Sequence, residues 1–532
     1  MNATAGTGRL VRLALRREKT LAPWWILLLA TLAWVMVGYI RRNMPTPEAM
    51  AAYTEMINHN TFFRSLGGRF VVPDLGFMAS WRSGGFLYVI NGLAAVMTVV
   101  RHTRADEESG RTELLRAGVV SRYASLTAAL LVAGGLSLAG GALSAIALIT
   151  TGLDPVGSIA YGAAITAAGW AFGAIAAVAA QLTQTARMAR AISLAVLGIS
   201  YVLRYAGDAS GQHWMTYLSP IGWSHLVVPY WGDHWWMLAV PITVATALSA
   251  LAYRLVGSRD LGEGLLPERL GPATAPKLRG PISLSWRLNR GLLIKWAVAI
   301  GCFAVAAGSL TTLAVHLKDT PASFATQLVE GFGGKPGATY LDNGLWAITL
   351  ICAYVIALYP VLMVQRLRAE ETSGRTEALQ ATPITRLRWA AGHLVVTGLG
   401  TAALLAIAGL AFGTVFSVAA GQSADVLRVL AGAMGTLPAA WLIGAICLFT
   451  YGLVPTAAPA ISWITWIATV VLGRIAGPLY GLWGGTPAEP FHYIPNTVAG
   501  APFDPVPATA MLALSALLLA SGLLALRRRD FG

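Results

Sequence analysis

Two stretches of mixed charge stand out in a chain that carries few charges elsewhere. Arg104-Ala-Asp-Glu-Glu-Ser-Gly-Arg-Thr-Glu113 returns as Arg368-Ala-Glu-Glu-Thr-Ser-Gly-Arg-Thr-Glu377, with eight identities in ten at an offset of 264. The match continues through Leu115/Leu379, Ala117/Ala381 and Arg122/Arg386. A need for cations on the cytoplasmic side of a membrane explains Arg104, Arg111 and Arg122. It does not explain Asp106, Glu107, Glu113 and their counterparts, or the duplicated Gly and Thr. Charge-assisted hydrogen bonding to a partner explains both signs, so the repeat reads as a docking surface present twice. A second echo closes each half, Arg259-Asp260-Leu261-Gly262 and Arg529-Asp530-Phe531-Gly532.

Other groups capable of chemistry are less well arranged. His213, His225, Asp233 and His234 share one segment but show no HExxH-like spacing, and the Trp and Tyr around them suit a membrane-interface belt better than a metal centre. Gly331, Gly333, Gly334 and Lys335 resemble a phosphate loop, yet Pro336 stands where Ser or Thr is required and the first glycine is misplaced. Cys302, Cys352 and Cys447 each lie in an apolar run, where cysteine behaves as a small hydrophobe. No metal site, no disulfide framework and no catalytic residue is expected in this chain.

The elements that position the charged repeats are membrane helices. In 532 residues, 56% are hydrophobic and 12% charged, with a mean hydropathy of +0.62, so the chain cannot cover several water-facing domains, an ATPase domain among them. The net charge of +14 does not point to nucleic acid, because the cations sit at the ends of apolar runs. About twenty apolar residues cross a bilayer. Candidate spans run roughly over 21–40, 84–100, 125–149, 157–181, 188–203 and 235–256 in the first half, and 292–315, 344–364, 389–415, 430–451, 459–472 and 508–526 in the second. With both termini inside, 28 of the 38 Lys and Arg fall on the cytoplasmic side. The exceptions cluster in the external segment 41–82, and a second external segment spans 204–234. The stretch before the first span, Met1 to Lys19, reads as an interfacial amphipathic helix.

An offset of 264 with six spans between the repeats places both on one face of the membrane, so the halves are parallel repeats. The fold class is an all-α polytopic membrane protein of about 12 transmembrane helices in two six-helix repeats. The halves are 1–257 and 282–532, joined by a cytoplasmic linker, 258–281, with elbows at about 101–122 and 365–388. In each elbow a span overshoots the membrane and stops at Gly110 or Gly374, which can take a left-handed conformation. A short helix then follows, Arg111 to Ala117 or Arg375 to Ala381, ended by Gly118 or Pro383.

The pattern Asp/Glu-Glu-x-Ser-Gly-Arg-Thr-Glu at the end of an apolar span resembles the coupling helix of type-two ABC exporter permeases. With Leu-Ser-Pro-Ile-Gly-Trp at 218–223 and Arg-Asp-Leu-Gly-Glu-Gly-Leu-Leu-Pro at 259–267, the fused chain resembles actinobacterial polyketide-antibiotic exporters of the tetronasin type and related multidrug efflux permeases. The second half departs from that pattern, with only Tyr493-Ile494-Pro495-Asn496 near the equivalent place. The resemblance implies a permease in a bacterial plasma membrane, embedded in lipid, that exports hydrophobic or amphipathic small molecules and contains no ATPase site of its own. It implies two copies of a separate cytosolic ATPase holding ATP and magnesium, docked on Glu107, Gly110, Arg111, Glu113, Glu371, Gly374, Arg375 and Glu377. It also implies a path near the axis between the halves, along the second, fifth, eighth and eleventh spans. The aromatic and weakly polar candidates for its lining are Tyr88, Asn91, Met97, Tyr201, Tyr354, Tyr359, Trp463 and Trp466. A proton-coupled transporter would need central intramembrane carboxylates, which the twelve spans lack, and a membrane glycosyltransferase would have to use Glu48, Glu55 and Asp74.

Overall fold

The computed structural model describes residues 5–59, 61–116, 120–260, 262–266, 274, 278–308, 340–420, 425–471, 473 and 486–529. Among these residues every regular element is a helix. Eleven helices are long and apolar enough to cross a membrane, where only a helix satisfies its own backbone within one segment. The predicted eleventh span, 459–472, corresponds to a helix described over Ala458–Val470, and most of the residues that follow lie outside the described ones. Gly118 and the glycine-rich segment around Lys335 lie outside the described residues. The chain forms two compact units, Met1–Gly271 and Pro272–Gly532, each with its own apolar core.

In the first unit, α1 (Thr7–Glu18) precedes the first span, α2 (Ala22–Asn43). Two helices, α3 (Pro47–His59) and α4 (Thr61–Gly67), fold the segment expected to be external between the first and second spans. The second span, α5 (Leu75–His102), starts nine residues earlier than hydropathy alone suggests, because Asp74 caps it by accepting from the Phe77 amide at 2.7 Å. The elbow consists of α6 (Arg104–Glu108) and α7 (Arg111–Arg116). Then come α8 (Ala124–Thr150), α9 (Pro155–Leu182) and α10 (Ala186–Ser210), two short helices α11 (His213–Tyr217) and α12 (Pro220–His225), and the last span, α13 (Ala239–Gly257). The backbones of α8 and α9 touch where a Cβ at Gly141 would stand 2.3 Å from the Gly162 carbonyl oxygen. Only glycine permits that approach, and close van der Waals packing is what joins helices in lipid.

The second unit repeats the plan with α14 (Pro281–Gly308), α15 (Tyr340–Ile356), α16 (Leu358–Thr372), the elbow helix α17 (Arg375–Gln380), α18 (Arg386–Ala420), α19 (Asp425–Gly435), α20 (Leu437–Leu453), α21 (Ala458–Val470) and α22 (Pro505–Arg528). Two predicted spans are each divided here, α15/α16 beside Pro360 and α19/α20 beside Pro438, since proline lacks an amide proton and crowds the preceding turn. The predicted external segment beginning at Arg204 also needs correction. Helix α10 continues to Ser210 and buries Arg204 completely, with its guanidinium donating to the carbonyls of Ser65 (2.8 Å) and Leu66 (3.2 Å) and to Asp208 (3.4 Å). Internal pairing hides these charges from a hydropathy scan.

Candidate coupling site

Both elbows turn at a glycine. Gly110 has φ 72° and Gly374 φ 70°, a left-handed conformation that costs other residues steric strain, and each stands between the end of a long helix and a short one. Beyond the turn, the side chains of Arg111 and Glu113, and of Arg375 and Glu377, are exposed, while Thr112 and Thr376 between them are buried. One threonine thus pins each short helix while its charged neighbours face outward.

Glu107 and Glu371 behave differently from the rest of the repeat. The Glu107 side chain is 7% exposed and sits between two guanidinium groups. Arg259 donates to both of its oxygens, at 2.7 and 3.0 Å, and Arg104 donates at 2.8 Å. Arg259 also reaches Gln181 at 2.8 Å, and Arg104 reaches the carbonyl oxygens of Ala180 (3.0 Å) and Glu263 (2.9 Å). In the second unit Arg529 donates to Glu371 at 2.7 Å, Arg368 lies 3.2 Å away, and Tyr451 donates its hydroxyl at 2.7 Å. Gln181 and Tyr451 are separated by 270 residues, the same offset as Arg259 and Arg529, so one position in the cluster has exchanged an amide for a phenol. The two sequence echoes are therefore partners in space: the arginine of the closing motif neutralises the second acidic residue of the charged repeat. Arg122 and Arg386 extend this symmetry by donating to the backbone carbonyls of Arg259 (3.4 Å) and Arg529.

This arrangement corrects the expected role of two residues. Glu107 and Glu371 cannot present their carboxylates to a docking partner without leaving buried, bidentate or multiply bonded positions, so they anchor the elbow from within. The signal that could have found the pairing was the second echo, which carries one invariant arginine per half. The cluster ties the ends of the second, fourth and sixth spans of each half into one unit. A segment after the arginine adds to it in the first half: Leu266 donates its amide to Leu182 at 2.8 Å, and a Cβ on Gly264 would meet the Thr183 backbone at 2.5 Å.

The first elbow has a further attachment. Arg17 of α1 pairs with Asp106 at 2.6 Å, and Glu18 binds Arg101 at 3.0 Å and His102 at 2.8 Å. Burial pushes the Glu18 carboxyl up, but its hydrogen bond with His102 and the Arg101 charge outweigh this and leave it below the usual range. The amino-terminal helix is anchored against the protein by Leu10, which packs with Ala124 and Ala128, and Ala14 on the same helix is also buried.

The residues expected to line a path are placed mostly in the cores of their own halves. Tyr88 is buried against Tyr161 and His225, and Asn91 donates to the Ile165 carbonyl at 2.7 Å. Met97 is half-buried, and the Tyr201 ring lies under Arg204. Tyr354 donates to Glu489 at 2.6 Å and accepts at its carbonyl from Trp466 at 2.9 Å, with Trp463 edge-on to Trp466. Tyr359 is buried beside Gly400 and Trp296. Tyr354, Trp463 and Trp466 form one group; Tyr88 and Asn91 face different neighbours. Among the described residues no group of His, Cys, Asp and Glu is arranged to hold a metal ion.

Repeated membrane-length helices with charged elbows at equivalent span ends define a polytopic transport permease. The family model described as the multidrug efflux system permease Rv1217c, C-terminal domain, matches residues 9–255 and 278–527. Over 532 residues the chain is 40% identical to the multidrug efflux system permease protein Rv1217c of Mycobacterium tuberculosis (strain ATCC 25618 / H37Rv), an alignment covering 99% of this chain and 95% of that protein. The chain belongs to this family of multidrug efflux permeases and is a multi-pass protein of the bacterial plasma membrane.

Proposed function

We propose that the chain is the membrane-spanning subunit of an ATP-driven exporter of hydrophobic or amphipathic compounds. Two copies of a separate cytosolic ATPase would dock on the exposed charges of α7 and α17. The observation that carries this reading is the duplicated elbow. The same short helix, turned at the same left-handed glycine and anchored by the same Glu–Arg cluster, occurs once in each half with its charged face exposed, Arg111 retaining one long contact with Asp106 at 3.4 Å. A proton-coupled carrier has no use for such a pair. In this reading ATP and magnesium belong to the partner, and the permease contributes the socket and the path. Gly110 and Gly374 set the socket angle, while Arg111, Glu113, Arg375 and Glu377 supply register through charge-assisted hydrogen bonds.

The test is co-purification with the cognate ATPase. Reversing the exposed charges in both elbows, Arg111→Glu with Glu113→Arg and Arg375→Glu with Glu377→Arg, should leave the permease folded and inserted but release the ATPase. Losing hydrogen-bonded charge pairs at an interface costs roughly 2–5 kcal/mol each. Wild-type yields of ATPase with this quadruple variant would overturn the docking site. Nucleotide hydrolysis by the permease alone, purified free of partner, would overturn the division of labour.

A further inference from the structure

The external side of the first half contains a cavity of about 620 Å³, within the range of sites that enclose a drug-sized molecule. It is built by the loop after α4, the start of α5, the end of α10 and the segment after α12. Its wall is aromatic: Trp81, Tyr88, Tyr217, Trp231 and Trp236 are among the lining residues.

Polar atoms at this wall lack partners. Trp81 is more than nine-tenths buried, yet its Nε1–H donates to nothing. Arg69 has its Nη2 buried without a hydrogen-bond partner, and its Nε lies 3.6 Å from Asp208. That carboxylate is already engaged by the Thr216 hydroxyl at 3.1 Å and Arg204 at 3.4 Å. Two guanidinium groups thus share one carboxylate, leaving the cluster with a net positive charge. An unpaired buried donor costs free energy, and a cluster of them beside an open cavity is relieved by a ligand acceptor.

The surrounding backbone is held under strain. Val228, Tyr230 and Asp233 have φ of 51°, 65° and 40°, values that non-glycine residues rarely adopt. The segment is fixed by Tyr230, whose ring fills the space over Gly76 and Gly157 and whose hydroxyl lies 2.9 Å from that of Ser158. Strain of this kind is maintained where a surface must keep one shape.

We infer that this cavity is a binding site for an aromatic organic anion, with its ring system against Trp81, Tyr217 and Trp236 and its carboxylate or equivalent oxygen on Arg69 and the Trp81 indole N–H. The site lies within one half and requires neither ATP nor a partner, so its binding stands or falls separately from the docking reading.

The experiment is equilibrium binding of 2-naphthoate to the full-length permease in lipid nanodiscs, compared with uncharged 2-naphthamide and cationic 2-naphthylmethylammonium. Saturable binding of one naphthoate per chain is expected, with the amide weaker and the cation weakest. Arg69→Gln should weaken naphthoate by at least about tenfold and erase the preference for anion over amide. Trp81→Phe, which keeps an aromatic side chain and removes the donor, should weaken it severalfold. Trp236 is largely exposed, so Trp236→Ala tests the aromatic wall even if the Arg69 variant fails to fold. Non-saturable partitioning, equal affinity for anion and cation, or naphthoate affinity unchanged in folded Arg69→Gln and in Trp236→Ala would overturn the site.

Discussion

Glu107 and Arg259 are 152 residues apart and share two hydrogen bonds, a geometry that only the planar guanidinium fork provides. Both side chains are at least nine-tenths buried, and without Arg259 the Glu107 carboxylate keeps only its bond to Arg104. Arg259→Gln should therefore destabilise the first half by about 1–3 kcal/mol, the cost of charged hydrogen bonds lost in a buried place, with Arg259→Lys intermediate because it keeps charge and loses the fork. Thermal unfolding of the purified permease, followed by circular dichroism of its helices, would register the loss; an unchanged transition would contradict the anchor role. His225 allows a prediction with pH. Burial, and secondarily the Arg204 charge, hold its imidazole well below the ordinary 6.5, against a backbone hydrogen bond to Gly67 that favours the charged form. The folded protein keeps the ring neutral while the unfolded chain takes up a proton below about pH 6.5, so stability is full above that value and falls as pH drops through it. The melting temperature should decline from pH 7.5 to 5.5 in wild type and decline less in His225→Gln. Parallel slopes would exclude this residue as the source.

The two elbows are similar but not equal as elements. In the first, α5 breaks at Thr103, with φ −118° and ψ −91°, and restarts as the five-residue α6. In the second, α16 runs without interruption to Thr372, and Pro383 stiffens the exit beyond α17. Next to the elbow an unbroken helix passes displacement into the span, whereas a break there absorbs part of it by bending; the division of the second-half span at Ala357 lies 15 residues of helix further from its elbow. Glu377→Arg should accordingly reduce substrate efflux per ATP more than Glu113→Arg at matched ATPase occupancy in proteoliposomes. Equal losses, or a larger loss from Glu113→Arg, would refute the asymmetry and leave docking untouched. The turn itself is tested by Gly110→Ala. Open space surrounds the Cβ position, so the cost arises from the left-handed backbone alone, about 1–2 kcal/mol.

For the molecule as a whole, each half carries one copy of the charged repeat and closes its own core. Parallel halves require both repeats on one side of the membrane, and docking of a cytosolic ATPase makes that side the cytoplasmic one. Ser109 and Ser373 are exposed, equivalent and next to the turning glycines. In a background with the three native cysteines replaced by serine, Ser109→Cys and Ser373→Cys should each react with an impermeant maleimide only from the cytosolic face. Labelling of the two from opposite faces would show inverted halves.

Membrane spans, the twofold repeat and the glycine-turned elbows were determined by sequence alone. Each depends on local properties: a run of apolar residues must become a helix in lipid, glycine is the residue that turns left-handed without strain, and a repeat is visible as identity at a fixed offset. Where those local signals were interrupted, boundaries shifted, as at Asp74, Pro360 and Pro438. Tertiary structure decided which charges are available. Glu107 and Glu113 look alike in sequence, but one is buried on Arg259 and the other exposed, because the closing motif returns to the elbow from the far end of the half. It also decided that Arg204 is an internal tie and that Arg69, Trp81 and Tyr88 share a cavity wall. The pairings of Glu107 with Arg259 and of Arg204 with the Ser65 carbonyl join residues more than a hundred positions apart, and their energies depend on burial that exists only once the helices have packed.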